Sequence, residues 1–145
     1  MLITGIPGTG KTTVGDYLEK NLGYLHIDVE ERQLKNLPWD FRNLNPDQEK
    51  VVLTWGFWPK DPEIGIIKSL KDSGFKLVWF DGNRDVARRE FNRRGSVPPQ
   101  AFDLQVKRID DSKVIQDIKP IVVDPFDHRG LFKSVDQILE EIENG

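Results

Sequence analysis

Gly5-Ile6-Pro7-Gly8-Thr9-Gly10-Lys11-Thr12 matches the pattern G-x-x-x-x-G-K-[ST] at every position. Glycines at 5, 8 and 10 let the backbone turn so that consecutive N–H groups point inward, the arrangement that cradles phosphate oxygens. A helix opening near Lys11 adds about half a positive charge at its N-terminus. In such a loop Lys11 reaches the β- and γ-phosphates of a nucleotide, and the Thr12 hydroxyl completes the shell of a Mg²⁺ ion. A bare strand-to-helix turn needs neither the lysine nor the hydroxyl. The stretch therefore predicts a nucleotide site, ATP with Mg²⁺, contacted by Pro7, Gly8, Thr9, Gly10, Lys11, Thr12 and Thr13.

Around the loop, short β-rich runs alternate with helical patterns, the signature of a parallel sheet wrapped by helices. Leu2 to Thr4, Leu25 to Asp28, Val51 to Trp55, Lys76 to Phe80 and Ile121 to Val123 read as five strands. Val14, Tyr17, Leu18 and Leu22 keep helical spacing, as do Ile64, Ile67 and Leu70. A last helix carries Leu131, Val135, Ile138, Leu139 and Ile142 on one face, with Ser134 and Gln137 at capping-box spacing. Asn36 to Asp47 shows no period and reads as loop. No repeat or linker interrupts the 145 residues, so one domain, 1–145, is expected.

Composition narrows the function classes. With 37% hydrophobic and 31% charged residues the chain can build a core, which argues against disorder. A formal net charge of -3 disfavours coating nucleic acid or an anionic membrane by bulk charge. No apolar run approaches the roughly 20 residues of a bilayer span, and no secretory leader is visible at Met1-Leu2-Ile3. Cysteine is absent, which excludes disulfides and thiolate metal sites. A cytoplasmic location fits these features. His26 and His128 are too few for a histidine-rich metal centre, and neither is assigned a role.

The chain resembles the small-molecule kinase branch of P-loop NTPases: gluconate, shikimate and adenylate kinases and the zeta-toxin type. Gly5 to Thr13 carries the most specific part of that likeness. Leu25-His26-Ile27-Asp28 looks like their second strand, which finishes on an acidic residue. Arg88, Arg89, Arg93 and Arg94, followed by Gly95-Ser96-Val97-Pro98-Pro99, look like their arginine-rich helix and lid. Leu104-Gln105 is similar to a step in the gluconate kinase lid. The resemblance implies an α/β, three-layer P-loop NTPase fold with a five-stranded parallel sheet in the order 2-3-1-4-5, flanked by helices and carrying a short lid. The site would lie at the carboxyl ends of the strands. Two departures stand out: the acceptor-binding insertion around Asn36 to Asp47 is reduced, and the third strand ends without a Walker B aspartate.

Candidate catalytic residues follow. Asp28 would orient an acceptor hydroxyl and take its proton, or hold water on Mg²⁺, although an aspartate there also serves as a helix N-cap. Glu30 and Glu31 read as first-turn helix charges. Five of the nine arginines fall between Arg84 and Arg94. Asp85 with Arg89 and Glu90 with Arg94 are four apart and can pair, which leaves Arg88 and Arg93 for adenine or phosphate. A solvated basic face and a nucleic-acid patch are the competing readings of that helix. Trp39, Phe41, Trp55, Phe57 and Trp58 would form core or an aromatic wall on the acceptor side. Asp124-Pro125-Phe126 follows the fifth strand, where the kinases that the chain resembles run a loop past the adenine, and the resemblance implies a contact from Pro125. These residues imply a phosphotransferase using ATP, Mg²⁺ and a small hydroxyl-bearing acceptor. A nucleotide-binding regulator with little transfer and a polynucleotide kinase are the alternatives.

Overall fold

The structure, a computed structural model, describes residues 1–35, 44, 49–56, 60–95 and 97–145. Five strands, Leu2–Gly5 (β1), Leu25–Asp28 (β2), Val51–Thr54 (β3), Leu77–Phe80 (β4) and Ile121–Val123 (β5), form one parallel sheet in the order β2-β3-β1-β4-β5. This is the order the resemblance implied. β1, β3 and β4 are buried at every position, which is why they read as unbroken apolar runs rather than alternating ones. Leu2 stands opposite both Leu53 and Leu77, so the first strand of the chain is the middle strand of the sheet.

Seven helices are described: Lys11–Leu22 (α1), Val29–Leu34 (α2), Asp61–Asp72 (α3), Arg84–Arg94 (α4), Gln100–Ser112 (α5), Val114–Ile118 (α6) and Val135–Asn144 (α7). Strand side chains alternate between faces, and the core divides accordingly. Ile3, Val52, Val78, Phe80 and Val123 pack on Val14 and Leu18 of α1 and on Ile138 and Ile142 of α7. Leu2, Leu53, Leu77 and Trp79 pack on the other side with Ile67 and Leu70 of α3, Ala87 of α4, Phe102 and Ile109 of α5 and Ile118 of α6. The result is three layers.

Local chemistry sets the helix ends. Asn83 accepts hydrogen bonds from the Asp85 and Val86 N–H groups and starts α4, and Gly95 ends it with φ 66°. Ser134 and Gln137 form the full capping box of α7. That cap corrects one expectation: Leu131 lies before the helix and is exposed, because the Ser134 cap halts the helical run that the apolar spacing would have extended. The loop expected from Asn36 to Asp47 lies outside the described residues except Leu44, as do Trp39, Phe41, Phe57 and Trp58. No helix among the described residues is long and apolar enough to cross a membrane.

Candidate functional site

All five strands finish at one edge of the sheet, and there the loop between β1 and α1 floors a cavity of about 350 Å³. Its floor is Pro7, Gly8, Thr9, Gly10, Lys11 and Thr12. Gly8 and Gly10 hold φ of 77° and 80°, a left-handed conformation that turns the chain into α1. Gly10 is the N-cap of α1 and offers no capping side chain; the first helical hydrogen bond runs from Val14 N–H to the Gly10 carbonyl. The N–H groups of Lys11, Thr12 and Thr13 thus have no carbonyl partner within the helix. A helix start left uncapped at the floor of a polar cavity suits an anion.

Lys11 is buried against its own loop. Its Nζ donates to the Ile6 carbonyl at 2.6 Å and to Thr9 Oγ1 at 3.3 Å, and the Thr9 hydroxyl donates to the same Ile6 carbonyl. Burial, with a smaller contribution from the Arg94 charge, lowers the ammonium pKa to about 8, and Glu30 opposes the shift. Thr12 opens onto the cavity. Thr13 is exposed and does not line it.

The opposite wall is acidic. Asp28, the last residue of β2, accepts the Glu31 N–H at 3.1 Å and caps α2, so the N-cap role is realised. The same residue also lines the cavity. Glu30 lines it as well, and this was missed when Glu30 was read as an ordinary first-turn charge. Gly56 makes room for it: a Cβ at position 56 would stand 3.0 Å from Glu30 Oε2. Burial, then the charge of Asp28, raises the Glu30 carboxyl above its ordinary pKa, and Lys11 counteracts them. Thr54 and Trp55, both buried, complete this wall at the end of β3, where the Walker B aspartate would stand.

The arginines differ from the expected pairing. Arg93 takes Glu90 at 2.8 Å, Arg88 reaches Asp85 at 3.7 Å, and Arg89 donates to the Gly130 carbonyl at 3.1 Å. Arg88 is also held from the next helix, donating to Asp103 at 2.6 and 3.0 Å and lying over the Phe102 ring. Spacing on one helix allows both three- and four-residue pairs, and the partner on α5 selects among them. Neither Arg88 nor Arg93 lines the cavity. Arg94 does, with no carboxylate partner among the described residues. Val97, Ala101 and Gln105 close the same side, and Gln105 is buried there while Leu104 is exposed. Pro125 is buried next to the end of β5, where its carbonyl accepts the Lys133 N–H; it does not line the cavity.

The donor set fits a Mg²⁺–nucleotide: uncapped N–H groups, Lys11 and Arg94 for phosphate, and Thr12 with Asp28 as oxygen donors for a hard cation. Among the described residues no group of three His, Cys, Asp or Glu side chains is placed to hold a metal ion.

The geometry agrees with what comparison finds. The chain is 27% identical to a shikimate kinase of Staphylococcus aureus (strain JH9) over 99% of its own length and 91% of the relative's. Its fold is similar to that of a gluconokinase from Sinorhizobium meliloti 1021, with TM-score 0.57 at 16% identity over 97% of this chain and 87% of that one. A shikimate kinase from Bacteroides thetaiotaomicron gives TM-score 0.58 at 16% identity over 99% and 93%. A tunicamycin resistance protein of Deinococcus radiodurans gives 0.57 at 14% over the same shares. No family model matches the chain. The five-stranded parallel sheet with its flanking helices is the fold of the small-molecule P-loop kinases, and the resemblance read from the phosphate loop holds across nearly the whole length.

Proposed function

We infer that the chain, which resembles the small-molecule P-loop kinases in sequence and shares their fold, moves the γ-phosphoryl group of ATP to a small hydroxyl-bearing acceptor. One observation carries this reading: a single cavity sets a phosphate-gripping floor, with Lys11 and Arg94, against two carboxylates, Asp28 and Glu30. A nucleotide store needs the first half alone; phosphoryl transfer to an alcohol needs both.

The floor N–H groups and Lys11 would hold the β- and γ-phosphates, and Arg94 would neutralise charge spread over the transferring oxygens. Mg²⁺, when bound through Thr12 and Asp28, supplies charge neutralisation on the phosphates. Glu30, its basicity raised by burial, would accept the acceptor's hydroxyl proton, while Asp28 would orient that hydroxyl or a water. Arg88 and Arg93 would join only if Asp103 and Glu90 released them, so Arg94 takes their place as the preferred site arginine. Pro125 is kept as a candidate contact for the base beside the end of β5. Relatives named for shikimate and gluconate make hydroxylated acids the first acceptors to try.

The test is ATP consumption, with Mg²⁺, against hydroxy acids, sugars, nucleosides and oligonucleotides. Acceptor-dependent turnover supports the reading, and ATP binding with no turnover on any of them sinks it in favour of a nucleotide-dependent regulator. Thr54 in place of a Walker B aspartate is the observation that favours that second reading.

A further inference from the structure

Three polar side chains outside the phosphate grip form a line from the surface to the cavity wall. His26 Nδ1 lies 2.9 Å from Asp16 Oδ1, and its Nε2 lies 2.7 Å from Thr54 Oγ1. Asp16 sits on α1 with its side chain 59% exposed, whereas the His26 side chain is 5% exposed. Thr54 is buried at the end of β3 and faces the cavity. Pairing of β2 with β3 sets Asp28 opposite Thr54 and His26 opposite Val52, so the imidazole stands diagonally behind the threonine on the α1 face of the sheet.

The ring has a place made for it. A Cβ at Gly15 would stand 2.5 Å from His26 Nε2. Glycine inside a helix is unfavourable relative to alanine, and at this position in α1 the imidazole is what fills the space.

Hydrogen-bond accounting gives the line one polarity for a neutral imidazole. The Asp16 carboxylate only accepts, so His26 Nδ1 carries the hydrogen. A ring with that single hydrogen has a lone pair at Nε2, and the Thr54 hydroxyl donates to it. A free threonine hydroxyl rotates to suit either role. This one is held with its remaining lone pairs available to the cavity, as an acceptor without a formal charge.

We propose that Asp16 and His26 are positioning residues that hold the Thr54 hydroxyl as an oriented hydrogen-bond acceptor for an O–H donor bound beside the phosphate loop. That donor is either the hydroxyl of the acceptor alcohol or a water carried by the cation. The need for such a donor rests on the phosphotransferase reading; the orientation of the hydroxyl does not.

Two measurements test it. Nitrogen NMR of the nucleotide-free protein should show His26 protonated at Nδ1 and bare at Nε2, with the tautomers mixing in Asp16→Ala. Protonation at Nε2 in the wild type overturns the proposal whether or not ATP binds. The second is a double-mutant cycle of Asp16→Ala and Thr54→Val, read as ATP affinity with and without Mg²⁺ and as kcat and KM for the alcohol. Each single change should cost about fivefold to tenfold, the scale of one neutral hydrogen bond. The double variant should be no worse than Thr54→Val alone, and Thr54→Ser should recover most of the loss. A loss seen only with Mg²⁺ identifies the water as donor, and a loss confined to the alcohol's kinetics identifies the acceptor. Additive losses, or none, overturn the proposal. Failure of the wild type to bind ATP at all defeats the phosphotransferase reading instead, and leaves the NMR result to judge the hydroxyl.

Discussion

Lys11 is folded back on the Ile6 carbonyl, with its pKa lowered from 10.5 to about 8. Between those limits the unfolded chain binds the proton that the native chain has lost, so this group makes stability rise with pH across that window. Phosphates favour the charged amine. Nucleotide binding should therefore take up protons above pH 8, and ATP affinity should fall there by up to about tenfold per pH unit. Calorimetric titration in buffers of different ionisation heat checks both signs; proton release on binding would refute the account. The carboxylates give a second prediction. Asn caps a helix about as well as Asp, so Asp28→Asn should keep stability and ATP affinity near wild type. Turnover should drop by about 10²-fold or more in Asp28→Asn if Asp28 orients the acceptor, and likewise in Glu30→Gln if Glu30 takes the proton. Unchanged turnover in either variant removes that residue from the mechanism. The position of Asp28 on the cavity was legible because a strand end beside the phosphate loop is a fixed address. Glu30 was not, since its place on the cavity depends on which way the first turn of α2 faces and on the room left by Gly56, 26 places away, just past the end of β3.

Elements translate such contacts into arrangement, and α4 is the clearest case. Arg94→Ala should weaken ATP binding about tenfold and raise the Lys11 pKa, because a neighbouring positive charge is removed. Arg93→Ala, exposed and tied to Glu90, should change binding little. Equal losses from both would return the helix to a diffuse basic face. Later in the chain, Ser134→Ala breaks the α7 capping box and should cost about 1 kcal/mol, a fall of a few degrees in Tm. ATP affinity should stay level, since α7 does not line the cavity. The strands and the α7 start were readable because short apolar runs, the alternation Leu25-His26-Ile27-Asp28 and Ser-x-x-Gln are local signals. The pairing of Arg88 was not legible because Asp103 belongs to α5, and no spacing within α4 reveals a partner on the next helix. The Gly15 notch was invisible for the same reason, being a helix residue shaped by a strand residue.

For the molecule as a whole, Mg²⁺–ATP at about a hundred times its dissociation constant should add roughly 2.7 kcal/mol of stability, read as a rise in Tm. No shift at millimolar ligand would leave the cavity without its proposed occupant. The strand order was foreseen from the family likeness rather than from the residues, because apolar runs announce strands without naming their neighbours. That order has a kinetic consequence. β1, which precedes both of its neighbours in the chain, is placed third in the sheet, with partners at Leu53 and Leu77. During synthesis Leu2 and Ile3 wait with both edges open until β3 has emerged, and with one edge open until β4 has, a stretch of apolar backbone able to pair with the wrong strand. Such distant pairings make for high contact order, so refolding should take milliseconds to seconds rather than microseconds. The phosphate loop inherits that delay: it hangs from the central strand, so the grip on ATP matures only when the sheet closes around it.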